Sequence, residues 1–232
     1  MSQKKSPIID VIIPAFNEEK SIPKVIAEIP DLVRHIVVAN NNSQDRTSEV
    51  AEEAGAKVVF EEQKGYGKAC LTAMDWIKGQ NPQPDIVVFL DGDYSDYPWQ
   101  MTDLIKPIQE NDFDLVIGSR SLGKKESGSM TIPQVFGNWL ATKLMRFIQG
   151  AEFSDLGPFR AIKWRELLNL EMQDENFGWT IEMQIKAHKA GLRYTEVPVD
   201  YKKRIGVSKV SGTVKGVFGA GYKIIFTIFK YW

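Results

Sequence analysis

The sequence predicts an α/β fold with a mainly parallel central sheet covered by helices on both faces. Three observations carry this. Short apolar runs recur along the first half of the chain, and each is followed by a segment with helical spacing. Polar, turn-forming residues fall just after the apolar runs, where an α/β sheet gathers its ligand-binding loops. The chain has 232 residues and 43% hydrophobic content, enough to bury one full core.

Ile8 to Ile13 is the first apolar run, ended by Pro14, and Ser21 to Ile29 follows with apolar residues at helical spacing. His35 to Ala39 is the second run; Asn40 to Asp45 is turn chemistry, and Thr47 to Ala54 reads as a helix stopped by Gly55. Lys57 to Phe60, a glycine-containing loop at Lys64 to Gly67 and a helix from Lys68 to Lys78 make a third unit. Ile86 to Leu90 opens a fourth, with a helix starting near Pro98, and Leu115 to Gly118 is another strand. Beyond it the pattern loosens: Ile132 to Ile148 and Trp179 to Ala190 read as helices, and Leu192 to Val197 as a late strand. The expected organisation is one catalytic domain over 1–210 with a basic amphipathic extension over 211–232.

Composition removes several function classes. Cys70 is the only cysteine, so internal disulfides and thiolate metal clusters are excluded, and a reducing compartment is expected. No signal-peptide pattern opens the sequence, which points to the cytoplasm. Asp and Glu are absent after Asp200 while basic residues continue to Lys230, so an anionic partner is expected at that end. Gly65 and Gly67 lack the third glycine of a dinucleotide fingerprint and the Lys-Ser/Thr ending of a phosphate loop, so hydride transfer is not expected. His35 and His188 have no second histidine at ligand spacing and read as structural.

The most informative stretch is Val87 to Asp96, where an apolar strand runs straight into Asp91, Asp93 and Asp96. Asp91 and Asp93 are two apart, so persisting strand geometry sends both side chains to one face. Two converging carboxylates call for a cation, and oxygen ligands favour Mg²⁺ or Mn²⁺ with positions left open for water and phosphate. Alternatively, Asp-Gly is simply a tight turn with solvated carboxylates.

Five blocks in order resemble glycosyltransferase family 2, and within it the branch of dolichyl-phosphate mannosyltransferase and glucosyltransferase. They are Ile12 to Glu19, Asn40 to Thr47, Lys64 to Ala69, Asp91-Gly92-Asp93, and Glu196 to Val199 followed by Arg204 to Lys209. The resemblance implies a Rossmann-like GT-A fold and inverting transfer from a nucleoside-diphosphate sugar, with Mg²⁺ or Mn²⁺ on Asp91 and Asp93. It places Pro14, Phe16 and Glu18 in the nucleoside pocket, with Glu18 facing ribose hydroxyls. Asn40 stands where the family usually has aspartate, which leaves UDP- and GDP-linked donors both open. Asp45 is an N-cap by its position, and Lys68 is either near the donor or a solvated first-turn lysine. Ser95 replaces a glutamine that can join the metal; Asp96 either compensates or caps the next helix.

By the same resemblance, Arg120 faces a phosphate acceptor, whose oxygens its planar fork suits. Asp155 lies in a segment near the acceptor, and Glu182 is either a base or core-edge structure. Arg204, Ser208 and Lys209 would close over the donor diphosphate. The family's usual Glu-Asp pair is missing from the base position, which favours a polyprenyl-phosphate acceptor over a hydroxyl, since an ionised phosphate needs no base. The aromatic and basic stretch from Val217 to Trp232 is too interrupted to span a bilayer. Both it and Ile132 to Ile148 read either as peripheral contacts at the inner membrane surface or as packing against the sheet or a partner. A sugar nucleotidyltransferase is the rival enzyme, but Pro14 to Glu19 offers neither the glycine nor the lysine its first loop needs. Nothing points to nucleic acid.

Overall fold

The computed structural model describes residues 6–206 and 214–231. The elements in chain order are β1 (Ile9–Ala15), α1 (Ile22–Ala27), β2 (Val33–Asn40), α2 (Thr47–Glu53), β3 (Lys57–Phe60), α3 (Tyr66–Lys78) and β4 (Ile86–Phe89). A 3₁₀ turn, Pro98–Gln100, leads into α4 (Met101–Asn111), then β5 (Leu115–Ser119) and α5 (Ile132–Gln149). The rest is β6 (Arg160–Lys163), α6 (Trp164–Asn169), α7 (Trp179–Lys189), β7 (Tyr194–Pro198) and α8 (Val214–Lys230).

The strands form one sheet in the order β3-β2-β1-β4-β6-β5-β7. All neighbours run parallel except β6, which is antiparallel to both β4 and β5. The chain steps outward from β1 to β3 and then crosses to the other side of β1 for β4, so the order reverses between β1 and β4. Such a switch leaves a crevice at the strands' carboxyl ends.

Side-chain alternation along the central strands feeds two cores, as expected of strands buried on both faces. Val87 and Phe89 of β4 pack with α3, α5 and α7 on one face, whereas Ile86, Val88 and Leu90 pack with α1 and α4 on the other. Asp10 is fully buried within β1, and Arg34 neutralises it through Nη2–Oδ2 at 2.6 Å.

Two elements depart from expectation. β1 runs through Pro14 to Ala15: Pro14 pairs with Ala39 of β2 but has no partner on β4, whose ladder with β1 stops at Ile12–Phe89, so the missing N–H breaks nothing there. β6 is not apparent from periodicity, because its four residues begin with Arg160, a charged side chain that is nevertheless wholly buried.

The C-terminal helix has two faces. Thr227 and Ile228 are buried, Gln149 Nε2 donates to the carbonyls of Ile228 and Tyr231 at 3.1 Å each, and Lys223 pairs with Asp174 at 2.9 Å. Tyr222, Phe226 and Phe229 are exposed, as are Ile132, Phe136, Trp139 and Phe147 of α5. Among the described residues, no helix is long and apolar enough to cross a membrane.

Candidate active site

The loops following β1, β2 and β4 meet at the switch point, and the first two are tied to one another by side-chain hydrogen bonds. Asn17 adopts a left-handed conformation (φ 55°), which lets its Oδ1 accept from Gln44 N at 2.8 Å while its own N–H donates to Ser43 Oγ at 2.9 Å. Glu18 N donates to Thr47 Oγ1 at 2.8 Å, and Ser21 Oγ donates to Glu18 Oε2 at 2.6 Å. Asp45 is not the N-cap of α2, which is Arg46; it stands one residue earlier and accepts from Thr47 N at 3.0 Å and from Glu19 N at 3.2 Å.

A cleft of about 730 Å³ opens beside these loops. Pro14, Phe16, Glu18, Asp91, Asp93, Arg120 and Arg204 all line it, which brings together residues separated by 190 positions of chain. Asp93 is buried; its Oδ1 accepts from Ser95 N at 2.9 Å and Ser95 Oγ at 2.5 Å, and its Oδ2 lies 2.5 Å from Arg204 Nη2. Asp91 accepts from the Tyr66 hydroxyl at 3.1 Å. Burial, and then the charge of Asp93, push the Asp91 carboxyl up to about 7. A full negative charge on Asp91 is thus under-compensated by its surroundings, since Arg204 pairs with Asp93 and not with Asp91, and a cation there would relieve that surplus. An all-oxygen donor set with that surplus fits a hard divalent ion. Among the described residues no group of three or more His, Cys, Asp or Glu side chains could hold a metal, so the remaining ligands would come from phosphate and water.

Asp96 lies behind this loop with both carboxylate oxygens buried and without hydrogen-bond partners. Burial, reinforced by Asp91 and Asp93, holds its carboxyl well above the ordinary range. It does not line the cleft, and it caps no helix through its side chain, since the 3₁₀ turn at Pro98 has no side-chain cap.

Several expected site residues stand elsewhere. Asn40 is absent from the cleft wall: its Nδ2 donates to Ser48 Oγ at 2.5 Å and its Oδ1 accepts from Ser43 N at 2.9 Å, so both ends of the amide organise the turn. Asn41 lines the cleft instead, with Nδ2 donating to Gln63 O at 2.6 Å and Oδ1 accepting from Gly65 N at 2.7 Å. Lys68 points to Glu175, 3.2 Å away, and is not a wall residue. The close approach that Gly65 and Gly67 permit is to the 174–176 segment: a Cβ on Gly67 would sit 1.8 Å from Asp174 O, and one on Gly65 2.2 Å from Glu175 O. Ser208 and Lys209 lie outside the described residues.

Arg120 and Asp155 are partners rather than two independent groups. The Arg120 backbone N–H and Nε both donate to Asp155 Oδ2, at 2.7 and 2.9 Å, and Nη2 donates to Oδ1 at 2.6 Å. Burial opposes both charges, but the pair more than offsets it: Asp155 is held below the ordinary carboxylate range and Arg120 above the ordinary arginine. Arg120 also lies over the Tyr201 ring, 5.1 Å from its centroid, and keeps a surface on the cleft, which Asp155 does not.

Glu182 is not placed to act as a base. It is fully buried and away from the cleft, and its oxygens accept from Gln173 N (2.9 Å), Asp174 N (2.6 Å) and the Tyr231 hydroxyl (2.6 Å), with Lys186 Nζ at 2.7 Å. These bonds tie the 173–174 backbone and Tyr231, just past the end of α8, to α7. Arg160 is wholly buried, donating to Thr180 O at 2.9 Å and to Gly157 O, with burial lowering its pKa to about 10.

With this geometry in view, similarity to known proteins becomes specific. The family model "Glycosyl transferase family 2" matches residues 10–170. The chain belongs to glycosyl transferase family 2. It is 35% identical over 213 residues to an uncharacterised glycosyltransferase of Mycobacterium tuberculosis, covering 90% of this chain and 92% of that one. Glycosyltransferase AglJ of Haloferax volcanii is 32% identical over 196 residues, 84% of this chain; the chain spans 63% of that relative's length. A dolichyl-phosphate hexose transferase of the same organism is 31% identical over 204 residues, covering 86% of this chain and 85% of its own. Among solved structures, glucosyl-3-phosphoglycerate synthase from Mycobacterium tuberculosis, in complex with Mn²⁺, UDP and glucosyl-3-phosphoglycerate, superposes with a TM-score of 0.76 at 24% identity over 97% of this chain and 80% of its own. The fold is therefore of the GT-A type.

Tyr66, Tyr201 and Asn41 are site residues that were not singled out from sequence. Tyr66 lies inside the quoted glycine block, and Asn41 beside Asn40, so the signal was local; Tyr201 carries none, because only the fold sets its ring beneath Arg120.

Proposed function

We propose that this family 2 glycosyltransferase moves a sugar from a nucleoside-diphosphate sugar to a polyprenyl phosphate, with inversion at the anomeric carbon. The observation that carries it is where the carboxylates are. The acids lining the cleft are Glu18, Asp91 and Asp93, all at the strand ends, whereas Asp155 and Glu182 are bound to other partners away from it. The opposite wall is formed by Met130, Pro133, Leu156, Phe177 and Ile224. A hydroxyl acceptor would need a general base on that side; an ionised phosphate needs none.

The donor lies in this account along Pro14, Phe16 and Glu18, with its diphosphate at Asp91, Asp93 and Arg204. Asp91 and Asp93 would hold Mg²⁺ or Mn²⁺, which supplies positive charge against the charge developing on the leaving diphosphate. Arg204 and Arg120 would add positive charge, Arg204 towards the diphosphate and Arg120 towards the acceptor phosphate. A phosphate oxygen attacks the anomeric carbon, the bond from that carbon to the diphosphate oxygen breaks, and the diphosphate leaves with the electron pair. Ser208 and Lys209 extend the same basic segment.

The helices that supply this wall also carry exposed apolar side chains: Ile132 and Phe147 of α5 are 85% and 89% exposed, and Phe226 and Phe229 of α8 are exposed as well. Exposed apolar side chains on the helices that line a cleft suit a lipid tail and peripheral contact with a membrane. The relative named a dolichyl-phosphate hexose transferase supports this acceptor class.

The test is a matrix of UDP- and GDP-sugars against acceptors with Mg²⁺ or Mn²⁺, reading nucleoside diphosphate release. Release stimulated by a polyprenyl phosphate and not by hydroxyl acceptors is expected. Release stimulated by a hydroxyl acceptor alone contradicts the assignment.

A further inference from the structure

The Asp93 carboxylate is the group a divalent ion would require, and a side chain of the protein already holds it. Arg204 Nη2 is 2.5 Å from Asp93 Oδ2 and 3.9 Å from Glu18 Oε1, and Arg204 Nε is buried without a hydrogen-bond partner. With Ser95 on Oδ1, both oxygens of Asp93 are engaged.

Arg204 is delivered there by a segment fastened across the acidic loop. Tyr201 N donates to Lys124 O at 2.8 Å and Lys202 N to Ser95 O at 2.9 Å, while the Lys202 ammonium lies 4.4 Å from the Tyr97 ring centroid. On the far side of Arg204, Ile205 N donates to Asp93 O at 3.0 Å. The backbone is fixed on both sides, so a change of partner for the guanidinium is a side-chain movement.

We infer that Arg204 is the resident counter-ion of Asp93 in the ligand-free protein, and that a divalent ion and a diphosphate displace it together, the ion taking Asp93 and the diphosphate taking the guanidinium. A guanidinium 2.5 Å from Oδ2 and a divalent ion on the same carboxylate repel one another, so the two cations compete for Asp93. The ion's apparent affinity is thus reduced by the fraction of molecules in which Arg204 still occupies Asp93. A diphosphate offers the displaced fork a bidentate acceptor, so the two ligands strengthen one another, and by linkage the effect is reciprocal. The competition between Arg204 and the ion needs only the acidic loop; the diphosphate half rests on the donor site proposed above.

Mn²⁺ binding followed by electron paramagnetic resonance, with and without UDP or GDP, tests this without turnover. In the absence of nucleotide, Arg204→Gln should bind Mn²⁺ about tenfold more tightly than the wild type, with Arg204→Lys in between. The enhancement of Mn²⁺ binding by nucleotide should shrink by a similar factor in Arg204→Gln, and Asp93→Asn should lose the site. Arg204→Gln binding bare Mn²⁺ no more tightly than the wild type overturns the inference, as does unchanged Mn²⁺ binding in Asp93→Asn. Tighter Mn²⁺ binding in Arg204→Gln alongside failure of every sugar donor with the wild-type protein leaves the exchange standing and removes the proposed reaction instead.

Discussion

At the strand ends, side-chain hydrogen bonds join the 14–18 and 41–47 loops, Ser95 holds Asp93 within the 91–96 loop, and Arg204 lies between Asp93 and Glu18, so the carboxylates are held in a defined geometry. Across the cleft, α5 and α8 present Gly137, Asn138, Gly221 and Ile224 inward, while their outer faces leave Phe136, Trp139, Phe147, Phe226 and Phe229 uncovered. The first wall is suited to holding concentrated charge in one geometry. The second, under the proposed function, would receive the lipid part of the acceptor, whose contacts tolerate variation. A substitution in the first should therefore alter chemistry, and one in the second should alter access and attachment.

The sharpest way to break this contrast is Asp93→Asn. It should lower sugar transfer by about a thousandfold, on the scale of losing a preorganised electrostatic group, while the thermal transition stays within a few degrees of the wild type. Retained turnover would remove Asp93 from the charged wall.

Asp155→Ala comes next, because it leaves the Arg120 charge buried and unpaired, and should cost about 3 kcal/mol or more in urea unfolding at neutral pH. Asp155 is held below its ordinary 3.8, so its contribution is complete above that value and is lost as the pH falls through the lower folded-state value. The difference between wild type and variant should accordingly narrow in acid. A difference that grows on acidification would contradict the ion pair.

Glu182→Gln sharpens the distinction between docking and catalysis. Transfer should fall by no more than about tenfold, while amide exchange in α8 accelerates and stability drops by about 1–2 kcal/mol as the hydrogen bond from Tyr231 weakens. Tyr231→Phe should reproduce the α8 effect. Complete loss of transfer in Glu182→Gln with α8 still protected would restore Glu182 as a base.

The smallest effect on folding is expected on the outer helical face. Phe147→Ser and Phe226→Ser should change unfolding free energy by less than about 0.5 kcal/mol, yet reduce sedimentation with anionic lipid vesicles. Unchanged vesicle binding in the double variant would separate the apolar surface from the membrane.

The sequence was most legible where local rules and chemistry coincide. Alternating strands and helices through Leu90 required only periodicity, and the acidic loop after β4 announced itself because apolar residues run directly into carboxylates. What stayed hidden depends on partners distant in the chain. Asn40 and Asn41 are adjacent and chemically identical, and only the backbone turn decides which amide faces the cleft. Arg120 and Asp155, 35 residues apart, each look like a functional group until the fold sets them in one ion pair. Glu182 carries the residue type of a base, but Tyr231 and the 173–174 amides fill its oxygens. β6 escaped because a strand opening on a buried arginine has no apolar signature.

Mass spectrometry of the product formed from a sugar nucleotide and a defined polyprenyl phosphate tests the central claim most directly. A polyprenyl monophosphate bearing one hexose, absent with Asp93→Asn, is the result expected. A sugar attached to a hydroxyl acceptor, or the same lipid product from Asp93→Asn at the wild-type rate, would contradict it.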